Sequence, residues 1–289
     1  MTARAGHAGT TAVIRRMAPA DVDAAERLRA QAGWNQTRDD WRRLLDWAPD
    51  GCFVAEVAGR VAGTVTTTRY GDVAWVGMML VDAELRLQGL GRRLLGHALA
   101  LLRGEVAVVA LDATPMGRRM YDRMGFVAAY GLERREGVAA RVPFPPKCRP
   151  LATEDVGRLA ALDRTAVGLD RRRQLRDLIA ARPSGCFLAE RDGEVAGYVC
   201  TRPGAARWHI GPLVAADPTT SERLLRAALS TLAGRPVVLD TPDINPHAAA
   251  QADDHRLRPV RAFIRMSRGG SLPTADGRLP YAIAGPEIG

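Results

Sequence analysis

The chain has 289 residues, of which 47% are apolar and 25% charged, with a net charge of +9. These are the proportions of an ordinary globular protein, and the length suggests about two domains rather than one. No apolar run reaches the ~18 residues of a membrane span and Met1–Thr10 lacks an apolar leader core, so a cytoplasmic protein with no membrane partner is expected. Residues 1–10 read as a disordered start. A strand is predicted near 12–17, followed by helices near 19–31 and 37–47. Pro19 and Asp21 suit a helix start, since proline is tolerated in the first turn and an acid favours the dipole there. Between these helices Gly33-Trp34-Asn35-Gln36-Thr37 offers an aromatic plane and two amides, whereas Trp41 and Trp47 read as core anchors.

Three strands are predicted next, near 51–57, 61–70 and 73–81, the last ending in Met79-Leu80-Val81. A glycine-punctuated turn, Arg86-Leu87-Gln88-Gly89-Leu90-Gly91-Arg92, leads directly into a helix over 90–104 whose buried stripe is expected to be Leu94, Leu95, Ala98, Leu101 and Leu102. His97 lies at the flank of that stripe and reads as structural. Glycines let the backbone turn tightly, and the first N–H groups of a helix have no partner within it. With the positive end of the helix dipole, such donors favour a bound anion of the pyrophosphate type. The turn lacks the Lys-Ser/Thr ending of a nucleoside-triphosphate loop and the third glycine of the dinucleotide fingerprint. A strand near 105–112, a helix near 116–124 and strands from Phe126 complete the first half. The proline-rich stretch at 135–150 reads as a linker.

The second half repeats the first. Residues 51–67, GCFVAEVAGRVAGTVTT, align without gaps on 185–201, GCFLAERDGEVAGYVCT, with eleven identities in seventeen positions. Each copy alternates apolar and polar residues about a glycine turn, as a β-hairpin does. The copies then diverge: Ala216–Leu225 is four residues shorter than its counterpart and has no glycine, so the anion cradle is lost. The strand 237–241 matches the one ending at Thr114, and counting onward places Gln251 opposite Tyr121 and His255-Arg256 opposite Gly125-Phe126. The predicted organisation is therefore a first domain over 11–134, the linker, a degenerate second copy over 151–270, and a tail over 271–289 packing on that copy. Cys52, Cys148, Cys186 and Cys200 are widely spaced, with no Cys-x-x-Cys, so neither a disulfide scaffold nor a metal site is implied and small buried hydrophobes are expected. Lys147 is the only lysine, and the arginines form neither a tail nor an aromatic-interleaved stripe. Nucleic acid is accordingly not an expected partner, while a diffuse positive field would help collect an anionic ligand.

Arg86-x-x-Gly89-x-Gly91 after a strand resembles the coenzyme A loop of the GNAT superfamily of N-acetyltransferases, whose signature is Gln/Arg-x-x-Gly-x-Gly/Ala. Tyr121 through Phe126, in a Tyr-x-x-x-Gly-Phe register, resembles the family's next motif, although Pro115 and Gly117 stand where the family often has Asn and Ala. The order of motifs and the erased second site are similar to bacterial tandem GNAT proteins. The resemblance implies an α/β fold of two tandem copies, each a mixed, mostly antiparallel sheet flanked by helices. It implies acetyl-coenzyme A as co-substrate, with no metal, and transfer of acetyl to a primary amine of a small molecule or amino acid by direct attack. Met79, Leu80 and Val81 would meet the pantetheine arm, and Arg86, Leu87, Gln88, Gly89, Leu90, Gly91 and Arg92 would hold the pyrophosphate. Tyr121 would be the acid, and Trp34, Asn35 and Gln36 would face the acceptor. Asp112 is a possible base, but its repeat partner Asp240 favours a structural role; His209, Trp208 and Asp243 are further candidates for the pocket wall. A non-catalytic acyl-coenzyme A sensor on the same folds is the alternative.

Overall fold

The computed structural model describes residues 12–273 and 275–289, so the expectation of disorder over 1–10 falls outside the described residues. The chain forms two compact units: the first runs to Thr68 and resumes over Met78–Arg103, and the second comprises Arg69–Gly77 and Gly104–Gly289.

In the first unit β1 (Val13–Arg16) lies antiparallel to β2 (Cys52–Val57), which pairs antiparallel with β3 (Arg60–Tyr70) through the hairpin turn at Ala58-Gly59. Both turn residues have positive φ, 49° and 75°, as a tight hairpin turn requires. Before β2 come α1 (Val22–Gln31) and α2 (Arg38–Trp47). Thr37 starts α2, its backbone N–H donating to the Asp40 carboxylate at 2.7 Å. Trp41 is fully buried and its indole N–H donates to Glu26 at 2.9 Å, which makes it the anchor expected. The end of β4 (Val73–Val81) leads to α3 (Leu90–Leu102), which packs so closely on the strands that a Cβ on Gly63 would come within 2.8 Å of Leu94. The buried stripe of α3 is Leu90, Leu94, Leu95, Ala98, Leu99 and Leu102. Leu101 does not belong to it: in the last turn it falls on the margin of the stripe and is 39% exposed, while Leu99 on the opposite margin is covered. His97 stands edge-on to Phe53 at 4.6 Å, consistent with a structural residue.

The second unit contains β5 (Val108–Ala113), α4 (Pro115–Arg123), β6 (Val127–Val138), β7 (Cys148–Pro150), α5 (Val156–Val167), α6 (Arg172–Ala181), β8 (Cys186–Arg191), β9 (Glu194–Arg202), β10 (Trp208–Ala215), α7 (Pro218–Thr231), β11 (Pro236–Pro242), α8 (Ala248–Asp254), β12 (Arg258–Arg268) and β13 (Pro280–Ala282). The strand order is β5-β12-β6-β11-β10-β9-β8-β7, with β13 added to β10. Pairing is antiparallel except at β10–β11 and where Val73–Trp75 of β4 meet β5. A mixed, mostly antiparallel sheet flanked by helices is thus present, as expected.

The repeats exchange strands. β12 of the second copy pairs with β5 of the first, and β6 of the first copy pairs with β11 of the second. Each exchange is locked by one ion pair at an equivalent place: Arg265 lies opposite Asp112, and Arg134 opposite Asp240, all four being buried or nearly so. The carboxylate accepts both bonds of a guanidinium fork in each pair, at 2.8 and 2.9 Å in one and 2.7 and 2.8 Å in the other. The linker expected at 135–150 is shorter for the same reason. Arg134 and Arg135, charged in sequence, are buried by partners on other elements, so β6 continues to Val138, and β7 reclaims 148–150. The tail packs inside the second unit: β13 adds to β10, Tyr70 donates to the Ile288 carbonyl at 2.8 Å, Trp75 to that of Pro286 at 2.9 Å, and Arg202 pairs with buried Glu287 at 2.7 Å.

Candidate functional site

In the first unit, the strand before the glycine turn departs from regular geometry at Met78, which is buried and has φ +46°. A non-glycine residue there costs on the order of 1–3 kcal/mol, and such strain clusters at functional places. The Met78 carbonyl accepts from the Thr64 hydroxyl at 2.7 Å, which fixes the kink. Met79, Leu80 and Val81 follow, then Asp82, whose backbone N–H donates to the Ala62 carbonyl at 2.8 Å and whose carboxylate accepts from Arg27 at 2.7 Å. Arg27 keeps that carboxylate below its usual range against the opposing effect of burial. The loop beyond is therefore anchored at its base. Arg86 folds back, its Nε donating to the Val81 carbonyl at 3.2 Å, and Gln88 donates to the Glu84 carbonyl at 3.2 Å.

Leu87 and Gly89 both take left-handed backbone conformations, φ 62° and 85°, and Leu87 is fully exposed. Gly89 precedes α3 without a side-chain cap, and the first turn contains no acid. The first bond into the helix is from Arg93 N–H to the Gly89 carbonyl, at 3.1 Å. Among the described residues the N–H groups of Leu90, Gly91 and Arg92 thus have no acceptor, and neither has the Arg92 side chain. Unpaired donors at the positive end of a helix dipole are chemically suited to an anion.

The corresponding end of α7, in the second unit, is closed. Gly63 abuts Leu94 just as Gly197 abuts Leu224, which sets the register; Leu94 is the fifth residue of α3 but Leu224 the seventh of α7, so α7 begins two residues earlier. Its first residue, Pro218, has no N–H. Asp217 caps it, accepting from the Thr220 N–H at 2.9 Å and placing a negative charge where the other copy has none. Gln251 covers the same end, donating to the Pro218 carbonyl at 2.7 Å and accepting from Ser221 at 2.8 Å.

Tyr121 lies on α4 in the second unit and is 7% exposed. Its ring meets Phe126 edge-on at 5.9 Å, and the Phe126 N–H donates to the Tyr121 carbonyl at 3.1 Å, so the Tyr-x-x-x-Gly-Phe spacing closes the helix. The departure at Gly117 has a local cause: a Cβ there would come within 2.8 Å of the Tyr121 ring. Burial raises the phenol above its ordinary value, and among the described residues its hydroxyl has no partner. The helix closures also correct the repeat alignment by one residue. Leu257 N–H donates to Ala252 as Phe126 donates to Tyr121, and Arg256 (φ 60°) occupies the left-handed place of Gly125 (φ 82°), so Ala252, not Gln251, stands for Tyr121. The phenol is lost either way.

Trp34, in the first unit, is half-buried and its backbone is tied at both ends to Arg29, by a bond from Trp34 N–H at 3.2 Å and one to its carbonyl at 2.8 Å. Gln36 is buried, so the expectation of two accessible amides holds only for Asn35. Asp112 is not a free carboxylate, since Arg265 donates to both its oxygens. Burial raises this carboxyl against the pull of Arg265, whereas at Asp240 the pull of Arg134 outweighs burial and lowers it. His209 is buried and held neutral, its imidazole pushed down to about 3 chiefly by burial and then by Arg202. Trp208 is stacked by Arg182 at 4.1 Å, and Asp243 accepts from the Gly131 N–H at 3.0 Å.

That unit also holds a cavity of about 160 Å³ which sequence reasoning missed, walled by Trp75, Tyr130, Arg171, Arg265, Leu169 and Leu272 among others. Asp163 neutralises Arg171 and Asp112 neutralises Arg265, which also stacks on Trp75 at 4.5 Å and donates to the Tyr130 hydroxyl at 2.8 Å. No periodicity could have announced it, because its walls come from distant segments of both repeats. No helix of the described residues is long and apolar enough to cross a membrane.

Comparison with known proteins agrees with the repeat. Residues 22–126 match the family model described as Acetyltransferase (GNAT) family, and residues 159–282 match that described as Acetyltransferase (GNAT) domain. The chain is 28% identical over 227 residues to the uncharacterized N-acetyltransferase YitH of Bacillus subtilis (strain 168), covering 76% of this chain and 79% of that one. In fold it is similar to a candidate acetyltransferase of Pyrococcus horikoshii, with TM-score 0.85 at 23% identity over 100% of this chain and 99% of the other. It is also similar in fold to a tandem GNAT protein from the clavulanic acid biosynthesis pathway, with TM-score 0.61 at 18% identity over 90% and 99%.

Proposed function

Because the chain belongs to the GNAT family of acetyltransferases, with two such domains in tandem, we propose that it transfers acetyl from acetyl-coenzyme A to a primary amine of a small molecule or amino acid, using the coenzyme site of its first repeat alone. The observation that carries this reading is the difference between two equivalent helix ends: α3 opens on three amides without an acceptor among the described residues, whereas α7 opens on a proline, a capping aspartate and a glutamine cover.

The open amides of Leu90, Gly91 and Arg92, with the Arg86 and Arg92 guanidiniums, fit a diphosphate. The residues after the Met78 kink, Met79, Leu80 and Val81, are the proposed support for the pantetheine arm. The acceptor must be neutral to attack, although an alkyl ammonium titrates near ~10.4. With Asp112 engaged by Arg265, no carboxylate of β5 is assigned as base, and the proton is lost to water or before binding. Tyr121 Oη–H is the proposed acid for the departing sulfur: burial keeps the phenol protonated at neutral pH, and among the described residues no neighbour competes for its hydrogen. Trp34 and Asn35 are the proposed acceptor contacts, with Gln36 behind them as a buried support.

The test is incubation with acetyl-coenzyme A and a broad panel of amines while free thiol is followed. Acceptor-dependent thiol release is expected. Tight coenzyme binding with no acceptor-dependent thiol would replace the enzyme by an acyl-coenzyme A sensor.

A further inference from the structure

Copy one of the β-hairpin sets Cys52 opposite Thr66, but copy two sets Cys186 opposite Cys200. Both thiols of copy two are free, and their residues are 0% and 2% exposed, in a core with Leu188, Tyr198 and Val214. The Cys186 carbonyl accepts from the Leu151 N–H at 2.9 Å, beyond β7. In an antiparallel strand the N–H and C=O of one residue point the same way, so Cys186 turns its backbone away from β9 and the two cysteines form a non-hydrogen-bonded cross-strand pair. Such pairs hold their Cα atoms about 4.5 Å apart with side chains on one face, within the ~4.4–6.8 Å that a disulfide spans.

We propose that Cys186 and Cys200 are a redox-closable dithiol, oxidised by a small neutral peroxide to a disulfide that staples β8 to β9. One of the two sulfurs attacks a peroxide oxygen, the O–O bond breaks, and a cysteine sulfenic acid and water result. The other sulfur then attacks that sulfenic sulfur and releases a second water. Overall two thiols lose two hydrogens to one hydrogen peroxide, which is reduced to two waters. Each thiol is the other's nearest titrating neighbour, and the Cys200 S–H beside it lowers Cys186 against the effect of burial. Cys52, with a threonine opposite, is simply pushed up to about 12 by burial.

The experiment uses the full chain treated with hydrogen peroxide, both in buffer and in urea below its unfolding midpoint, followed by alkylation and non-reducing peptide mapping. A Cys186–Cys200 cross-linked peptide is expected, together with a thermal midpoint several degrees higher that returns on reduction. The variant Cys200→Thr recreates the pairing the first hairpin already accommodates, and should fold, yield no cross-link and show no peroxide-dependent rise. Recovery of both cysteines as free thiols under both conditions, or linkage of either to Cys148 or to another chain, would overturn the proposal.

Discussion

Tyr121 presents a buried, protonated phenol whose hydrogen no described neighbour accepts. If that hydrogen goes to the leaving sulfur, Tyr121→Phe should lower turnover by roughly 10²-fold or more, while changing coenzyme affinity by less than about twofold; near wild-type turnover would make the ring a packing element only. His209 gives a second prediction, about stability. Its folded value of about 3 lies below the ordinary value of 6.5, so the unfolded state binds the proton first. The contribution is present above pH 6.5 and is lost as pH falls from there toward 3, at about 1.4 kcal/mol per unit. Chemical unfolding of the protein and of His209→Asn across that range should show the wild type losing its advantage as the solution is acidified, and parallel curves would contradict the assignment. The closure of α4 after Tyr121 was legible from the Gly-Phe spacing. The confinement of Asp112 was not, because Arg265 is 153 residues away and no local pattern joins them.

At the scale of elements, the proposed coenzyme cradle would depend on a backbone shape before it depends on any side chain. Gly89 holds φ 85° at the entrance to α3, and a β-branched residue resists that conformation by about 1–2 kcal/mol. Gly89→Val should therefore weaken coenzyme binding about tenfold in a titration, with an unchanged far-ultraviolet spectrum; undiminished affinity would remove the turn from the site. Glycines at 89 and 91 and the apolar strand before them made this element readable. The kink at Met78 left no mark, since methionine gives no hint of a positive φ. Nor did the length of β6, because Arg134 and Arg135 look like solvent-facing residues until Asp240 and Asp253 are brought to them by pairing. The same holds for α7, whose early start is visible only once Gly197 and Leu224 set the register.

At the scale of the whole molecule, the duplicated sequence is not a duplicated folding unit. The identities between 51–67 and 185–201 reveal the repeat, but strand choice is decided by non-local pairing, and β5 takes its antiparallel partner from the other copy. A fragment ending at residue 147 would leave the β12 edge of β5 and both edges of β6 unpaired and Asp112 without Arg265. It should lack a cooperative unfolding transition; a sharp transition in that fragment would show the exchange to be dispensable. The duplication also sets the central question of function, because one copy keeps the open helix end and the other closes it. Calorimetric titration of the full chain with acetyl-coenzyme A tests this most directly. One molecule bound per chain, with affinity reduced by Gly89→Val, is the predicted result; no binding, two molecules per chain, or one whose affinity responds to Asp217→Ala and not to Gly89→Val would contradict it.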